Sequence, residues 1–506
     1  MNTRTIALAG LLAALPLTNA FATTWVVTGT GEPTSTICNP VTFDCPTLRD
    51  AFNSASNGDK IQFASSIDGG TILLGNYSNA QTGTEFGPSA FFITGGMAIT
   101  IDGETGLTRG ITIARDTAQA PFRLFDVDAG SGLTLIGLTL KNGLAQGFNS
   151  GSGGGSLGAG GAIFNQGDLI IDSCTFVGNK AQGGASGDGS GNYSGAGVGS
   201  APVNGKGGGP NGSVVFGVPG GFGGGGIAYD GGSDGGFGGG GGSGGPGGNG
   251  GFGGGAGSAS GGGSANGGFG GGGNNASSYG GGGAGMGGAI FNDAGTLNIV
   301  NSTFTANSAS GGAGGNAAAG GSGFGGAIFN YSAVLTIQSS TLARNSVAAA
   351  SGGIADGGAL YSFDDRNCGV GGNTCPNGSA SSFDLESSIF SNSSATHDVV
   401  VNTGSPPAVG TFSDLIVMSR DATQFTIANF ASSADPQLSP LGNHGGWTPT
   451  MVPKQGSAAI DALTCTSGFA RDDQRGVARP YPSSGQCDVG AVEYDGDYIF
   501  ANGFDY

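Results

Sequence analysis

The chain is short of positive charge. Sixteen Lys and Arg face 34 Asp and Glu over 506 residues, a formal net charge of −18 at pH 7. Binding a polyanion needs clustered cations, so nucleic acid is excluded as a partner. Histidine is scarcer still: His397 and His444 are the only two. That rules out a zinc site built from histidines alone, and any Ser-His-Asp triad would have to use one of the pair. Beyond the first 22 residues no apolar run reaches the roughly 20 residues that a membrane-crossing helix needs, so no transmembrane span is expected. No Gly-Lys-Ser/Thr follows any glycine run, which excludes a phosphate loop.

Glycine, by contrast, is abundant. There are 113, without the Gly-X-Y period of collagen. The N-terminus has the plan of a secretory signal over residues 1–22. Arg4 supplies the charge, Ile6 to Leu17 the apolar stretch, and Ala20-Phe21-Ala22 the small-x-small cleavage site. Its removal takes Arg4 with it and leaves the mature chain slightly more acidic. Seven cysteines in an exported chain point to disulfides. Cys38 and Cys45 are seven apart, Cys368 and Cys375 repeat that spacing, and Cys465 and Cys487 bracket a C-terminal segment. These three pairs are the candidates, although spacing does not settle connectivity. Cys174 is left over, at the slot that Ser302 and Ser340 fill in later repeats, and reads as a small buried thiol.

The strongest pattern is a sentence written three times: Gly160-Gly161-Ala162-Ile163-Phe164-Asn165, Gly287 to Asn292 and Gly325 to Asn330. Each copy continues with a Leu-x-Ile pair (Leu169/Ile171, Leu297/Ile299, Leu335/Ile337). A Thr-(Phe/Leu)-x-x-Asn ending then follows at Phe176/Asn179, Phe304/Asn307 and Leu342/Asn345. Fixed spacing between short β-type runs means stacked structural units, an all-β solenoid. In such a stack Ile163, Ile290 and Ile328 form one interior column, and Phe176, Phe304 and Leu342 a second. Asn165, Asn292 and Asn330, and Asn179, Asn307 and Asn345, form amide ladders at the turns. The paired glycines serve the bends.

Around these repeats the chain changes texture. Residues 23–66 carry a strand and a short amphipathic helix, Leu48-Arg49-Asp50-Ala51-Phe52-Asn53-Ser54-Ala55, suited to cap a solenoid end. Residues 67–430 hold the strands and repeats. Within them, 183–286 is a glycine-rich insert with almost nothing to bury, and it reads as a flexible low-complexity loop. Packed polyproline-II-like glycine helices are the alternative, with Phe222, Phe237, Phe252 and Phe269 recurring at sheet-like intervals. Residues 431–494 are richer in proline and charge, and 495–506 form an acidic, aromatic tail.

Three motifs carry a family resemblance. The Gly-Gly-Ala-Ile plus Phe-x-x-Asn pairing resembles the repeats of polymorphic outer membrane proteins and related right-handed parallel β-helix passengers. Cys45-Pro46-Thr47-Leu48-Arg49-Asp50-Ala51 is similar to the Cys-Ser-Leu-Arg-Glu-Ala motif that opens many exported bacterial β-helix proteins, with one extra residue and Asp for Glu. Asp435-Pro436-Gln437-Leu438, Gly442-Asn443-His444-Gly445-Gly446-Trp447, Asp473-Gln474-Arg475-Gly476 and Cys487-Asp488-Val489-Gly490-Ala491-Val492-Glu493 together resemble the choice-of-anchor Q domain of bacterial surface proteins. The resemblance implies a right-handed parallel β-helix with an N-terminal helical cap, exported to the surface or surroundings of a Gram-negative bacterium. Two features depart from it. Nothing after Glu493 could make a translocator barrel, whose strands need about 10 alternating residues each. The tail, with Ile499-Phe500-Ala501-Asn502-Gly503-Phe504 before Asp505-Tyr506, resembles short endings of exported proteobacterial proteins that serve as secretion or sorting tags.

For function, every repeat residue already has a structural job. The expectation is therefore a non-enzymatic surface protein for adhesion or matrix contact, whose partner is a glycan or a neighbouring cell surface. The alternative is a polysaccharide lyase or glycoside hydrolase, which needs paired carboxylates or acidic calcium ligands with a nearby base. Asp364-Asp365-Arg366, inside the loop that Cys368 and Cys375 would close, is the best catalytic candidate, although a solvated acidic loop explains it as well. Asp473, Arg475, Arg479, Asp488 and Glu493 read as an ion-pair network within the C-terminal segment. The glycine block is a third candidate, for flat repetitive ligands such as ice or glycan. No cofactor is predicted, calcium included, because the block lacks the acidic nonapeptide of calcium-binding rolls.

Overall fold

Short alternating runs of β-branched and polar residues, broken by glycine, cannot sustain a helix. In the computed structural model the described helices are Leu48–Ser54 and one 3-10 turn, Ser65–Ile67. The described residues are 22–32, 37–76, 87–187, 193–203, 205–215, 217–228, 231–260, 263–275, 279–364, 381–403, 409–421, 425–465, 471–481 and 485–496.

The chain is nearly all β, with parallel strands stacked in five rows. One repeat runs through Gly285–Met286, Ile290–Asp293, Thr296–Val300, Thr303–Thr305 and Ser308–Ser310. Each of these strands pairs in parallel with its counterpart in the next repeat. Ile290 lies beside Ile328, Leu297 beside Leu335, Phe304 beside Leu342 and Ala309 beside Val347. Toward the N-terminus the same rows continue through Ile163, Leu169 and Phe176, then through Phe125, Leu133 and Leu140. The described exception is the antiparallel pair Leu463–Thr464 and Gln486–Cys487.

Between rows the backbone turns at left-handed residues that recur in register. Gly137, Ser173, Asn301, Ser339 and Ser387 occupy one such corner, with φ between 46° and 59°. The first glycine of each motif pair occupies another: Gly160, Gly287, Gly325 and Gly357 have φ of 63–66°. A side chain there would be strained, which is why the motif opens on glycine.

Side chains alternate between two cores. Ile163, Ile290, Ile328, Leu297, Ile299, Phe304 and Leu342 point into the main core and are fully buried. Rings stack along it, Phe176 on Phe304 at 4.5 Å. Each large buried side chain contributes about 1.5–3 kcal/mol. At the N-terminal end the Thr47 hydroxyl caps the helix by accepting from Asp50 N (3.2 Å), and Phe52 packs on Phe91 with centroids 4.9 Å apart. The motif phenylalanines face the other way. Phe164, Phe291, Phe329 and Tyr361 form an outward ladder at 5.1–5.5 Å spacing.

That outward ladder is covered by the glycine-rich insert, and here the flexible-loop expectation fails. The described part of 183–286 is folded into packed hairpins. Each turns at Gly-Phe-Gly-Gly: Gly254 N donates to Gly251 O (2.7 Å) across Phe252 and the left-handed Gly253. Successive amides then donate to different neighbours. Gly240 N reaches Ala196 O, Gly241 N reaches Gly255 O and Gly242 N reaches Ser233 O, at 2.8–2.9 Å. This is the bonding of packed extended glycine helices and not that of a two-sided strand ladder. Composition misleads because these segments bury backbone instead of side chains, and their polar groups are satisfied by each other. Phe222, Phe237, Phe252 and Phe269 stack at 4.5–5.4 Å and pack on the outward ladder, Phe252 lying 4.4 Å from Tyr331. The slab also draws in glycines from outside the insert, such as Gly154, Gly155 and Gly312.

Candidate functional site

Asp364 does not sit in a solvated loop. It closes the strand Leu360–Asp364, pairs in register with Thr403 and is 3% exposed, because the Phe row continues through it. Asp365, Arg366, Cys368 and Cys375 lie outside the described residues. Cys38–Cys45 and Cys465–Cys487 are bonded, and Cys174 is a free buried thiol. Its Sγ lies 3.2 Å from Asp172 O, the same contact that Ser302 Oγ makes to Val300 O and Ser340 Oγ to Gln338 O. Burial pushes the Cys174 thiol far up, so it is no nucleophile.

The asparagines are brought together in two ladders. Asn165 Nδ2 donates to Asn292 Oδ1 (2.7 Å), and Asn292 Nδ2 to Asn330 Oδ1 (2.8 Å). Asn179 Nδ2 donates to Asn307 Oδ1, and Asn307 Nδ2 to Asn345 Oδ1, both at 3.0 Å. The two histidines are far from each other in role. His397 Nδ1 lies 3.0 Å from Asp356 Oδ2, while His444 contacts Ser439 Oγ and is held below its ordinary pKa, first by burial.

Packing assembles one carboxylate cluster that sequence reasoning missed. Asp102 and Asp172 end corresponding strands and pair with Ile136 from opposite sides, which sets them two strand spacings, about 10 Å, apart. Glu104 follows Asp102 in the turn and reaches over Gly137, where an added Cβ would collide with Glu104 Cγ. The clue was the shared strand-end position of Asp102 and Asp172. It was hidden because Asp102 precedes the first motif copy.

The three carboxyls are electrostatically unlike. Burial pushes Asp102 up, but the Thr105 hydroxyl (2.6 Å), the Thr105 and Glu104 amides and Gln62 outweigh it and hold the carboxyl down at about 2. Glu104 is pushed up to about 7, first by burial and then by the charges of Asp172 and Asp102. Asp172 is also raised by burial. One carboxyl kept ionised beside another that holds its proton near neutrality offers a carboxylate and a proton donor side by side.

Glu104 therefore binds its proton more tightly in the fold than in the unfolded chain. Stability falls as pH rises from about 4.5 toward 7. Glu104→Gln should leave stability at pH 4.5 nearly unchanged and raise it at pH 8 by ~1 kcal/mol after discounting for partial exposure, about 1 °C in melting temperature for a chain of this length. Equal effects at both pH values would disprove this origin.

The C-terminal segment lies directly over this region and along the threonine row. Trp447 Nε1 donates to Leu107 O (3.1 Å) and Thr448 Oγ1 to Ser173 O (2.9 Å). Thr175 Oγ1 donates to Pro449 O and Thr303 Oγ1 to Gln474 Oε1, each at 2.6 Å. Thr341 Oγ1 accepts from Ala491 N at 3.0 Å. Leu438, Met451, Ala459 and Val489 pack on Ala343, Ile389 and Ile416. Two buried ion pairs stiffen the segment, Arg475–Asp473 at 2.8 Å and Arg479–Glu493 at 3.0 Å. Asp488, pushed to about 7 mainly by burial, accepts from Asp461 N at 2.7 Å.

Among the described residues no three His, Cys, Asp or Glu side chains are grouped to hold a metal ion. No protein-family model, curated protein or solved structure matches the chain.

Proposed function

We propose that the five rows close into a right-handed parallel β-helix and that the protein is an exported, non-enzymatic contact protein of a Gram-negative cell surface, serving adhesion or matrix contact. Apolar side chains stand in solvent at scattered places, such as Ile37, Val41 and Ile354, and the observation that carries this reading is the one segment that gathers five of them. Tyr193, Val203, Val214, Val215 and Val218 are each more than half exposed and all belong to the segment 193–218 of the glycine slab. Apolar side chains gathered on one exposed segment, on a slab held rigid by backbone bonding, suit a surface for contact. The disulfides suit an oxidising compartment. The motif resemblances to surface proteins point the same way.

The threonine row, a face along which a polymer could lie, is occupied by the protein's own C-terminal segment, which disfavours catalysis on it. Attachment of the purified protein to cells and to hydrophobic beads tests the reading. Replacing Val214, Val215 and Val218 by Ser should lower attachment at least about fivefold with the melting curve unchanged. Undiminished attachment would overturn it.

The enzymatic reading, a polysaccharide lyase or hydrolase, keeps one observation in its favour: Glu104, titrating near neutrality beside Asp172. Ultraviolet absorbance rising on uronate polymers, and abolished in Glu104→Gln, would favour it over the contact reading.

A further inference from the structure

One cavity, of about 510 Å³, opens where the C-terminal segment meets the end of the threonine row, lined by Arg344, Asn392, Asp435, Gln437, Leu438 and Lys454. On a chain this short of cations, two converge here. Neither Arg344 nor Lys454 forms an ion pair among the described residues, where Arg49, Arg109, Arg123, Arg475 and Arg479 are paired with carboxylates.

The repeat places Arg344. It stands immediately before the ladder asparagine Asn345, at the left-handed corner that Gly178 and Ala306 fill in earlier copies and Asn392 in the next. Only in this copy does the corner carry a cation. Arg344 and Asn392 therefore project side by side, and Arg344 N donates to Ser391 O at 3.0 Å. The guanidinium is fixed by the opposite wall: Nη2 donates to Leu438 O (2.7 Å) and Nη1 to Ser439 O (3.2 Å). Those bonds use two of five N–H donors and leave three for a ligand, already oriented. Lys454 also lines the cavity, its backbone amide tied to Gln437 O at 3.1 Å. Asp435 accepts from Asn392 Nδ2 (3.3 Å) and Gln437 N (2.8 Å), so its carboxylate is held in place as an acceptor on the same rim.

We infer that this cavity is a subsite for one carboxylate-bearing sugar residue, a uronic-acid unit of an acidic glycan. The carboxylate would sit between Arg344 and Lys454, in the charge-assisted geometry that arginine favours. The ring hydroxyls would donate to Asp435 and exchange hydrogen bonds with Asn392 and Gln437. Asp435 decides the class: against a bare inorganic anion it is only repulsive, whereas a sugar brings hydroxyl donors to satisfy it. The site is an open depression, with Arg344, Asn392, Asp435, Gln437 and Lys454 all exposed, as suits one unit of a longer chain lying across it. The inference deepens the contact reading by naming a ligand, and it uses a surface distinct from the valine-bearing segment.

Calorimetry on the full chain with trigalacturonate, a neutral galactose trisaccharide and sodium sulfate tests it. Trigalacturonate should bind, and binding should weaken at high salt. Lys454→Ala and Arg344→Ala should each weaken it at least about tenfold, the loss expected for a charge-assisted contact. Ala306 occupies the equivalent corner at φ 54°, so Arg344→Ala keeps the turn. An unchanged melting curve and unchanged attachment to hydrophobic beads would show that the fold and the valine-bearing surface are intact. Three results would overturn the subsite: no binding by the unaltered chain, equal binding by both variants, or sulfate bound as tightly as the trisaccharide. None of these touches the contact reading, which fails only if the valine replacements leave attachment undiminished.

Discussion

Gly254→Ala is expected to open the glycine slab while leaving the stacked strands folded. A Cβ on Gly254 would fall well inside van der Waals contact with Gly239 O, and the atom in its way is backbone. A side chain could rotate aside, but a carbonyl held in a hairpin cannot do so without breaking its neighbours' hydrogen bonds. Overpacking of this kind costs about 3 kcal/mol, or roughly a hundredfold in the local opening equilibrium. Limited proteolysis and amide exchange across residues 231–275 should register that change, and the main melting transition should scarcely move. Gly273→Ala is the matched control. Its nearest neighbour is Ala265 O at 3.4 Å, so it should stay protease-resistant. If Gly254→Ala resists as well, the slab is held by its phenylalanines and not by its backbone packing.

Asn307→Ala should be the most damaging single change in the repeats. The side chain is fully buried. Its Oδ1 accepts from Asn179 N and Nδ2, while its Nδ2 donates to Phe176 O and Asn345 Oδ1, all at 2.9–3.0 Å. Alanine would delete four bonds in a dry turn: Asn179 Nδ2 keeps Leu140 O and Asn345 Oδ1 keeps Asn307 N, but Asn179 N and Phe176 O lose this partner, at about 1–3 kcal/mol for each that water cannot reach. A net loss of ~3–5 kcal/mol is expected, read as a lower urea midpoint. A loss below ~1 kcal/mol would show that the ladder is ornament on a stack held by its apolar columns. The ladder is also directional: each amide donates to the asparagine after it. The effect should therefore extend in both directions along the rows.

The repeat was legible because its residues are spaced by a constant register, so side chains far apart in the chain meet their own kind. Ile163, Ile290 and Ile328 stack for that reason, and so do the asparagines. Cys174 could be read as a serine surrogate because two later copies show what the slot requires. The outward ladder Phe164–Phe291–Phe329 was legible only as a repeat. What covers it could not be read from the motif itself.

The carboxylate cluster was hidden for a related reason. Asp102 and Asp172 occupy one register position, but the strand between them carries Ile136, and Glu104 enters from a turn that no copy repeats. Arg344 likewise looks like a chance residue before a repeated asparagine until the C-terminal segment closes a wall opposite it.

From the sequence alone came the all-β stacked organisation, the two asparagine sets and the inward columns, because period-two alternation and fixed spacing leave a chain few other ways to bury these side chains. Tertiary structure decided the rest. Glycine carries no side chain to announce its partners, so only the three-dimensional meeting of backbones turns the described part of 183–286 from a loop into a slab. The C-terminal segment's place over the threonine row rests on single hydrogen bonds between residues up to 340 positions apart. Local sequence cannot encode such pairings, because their free energy exists only once both surfaces are already built.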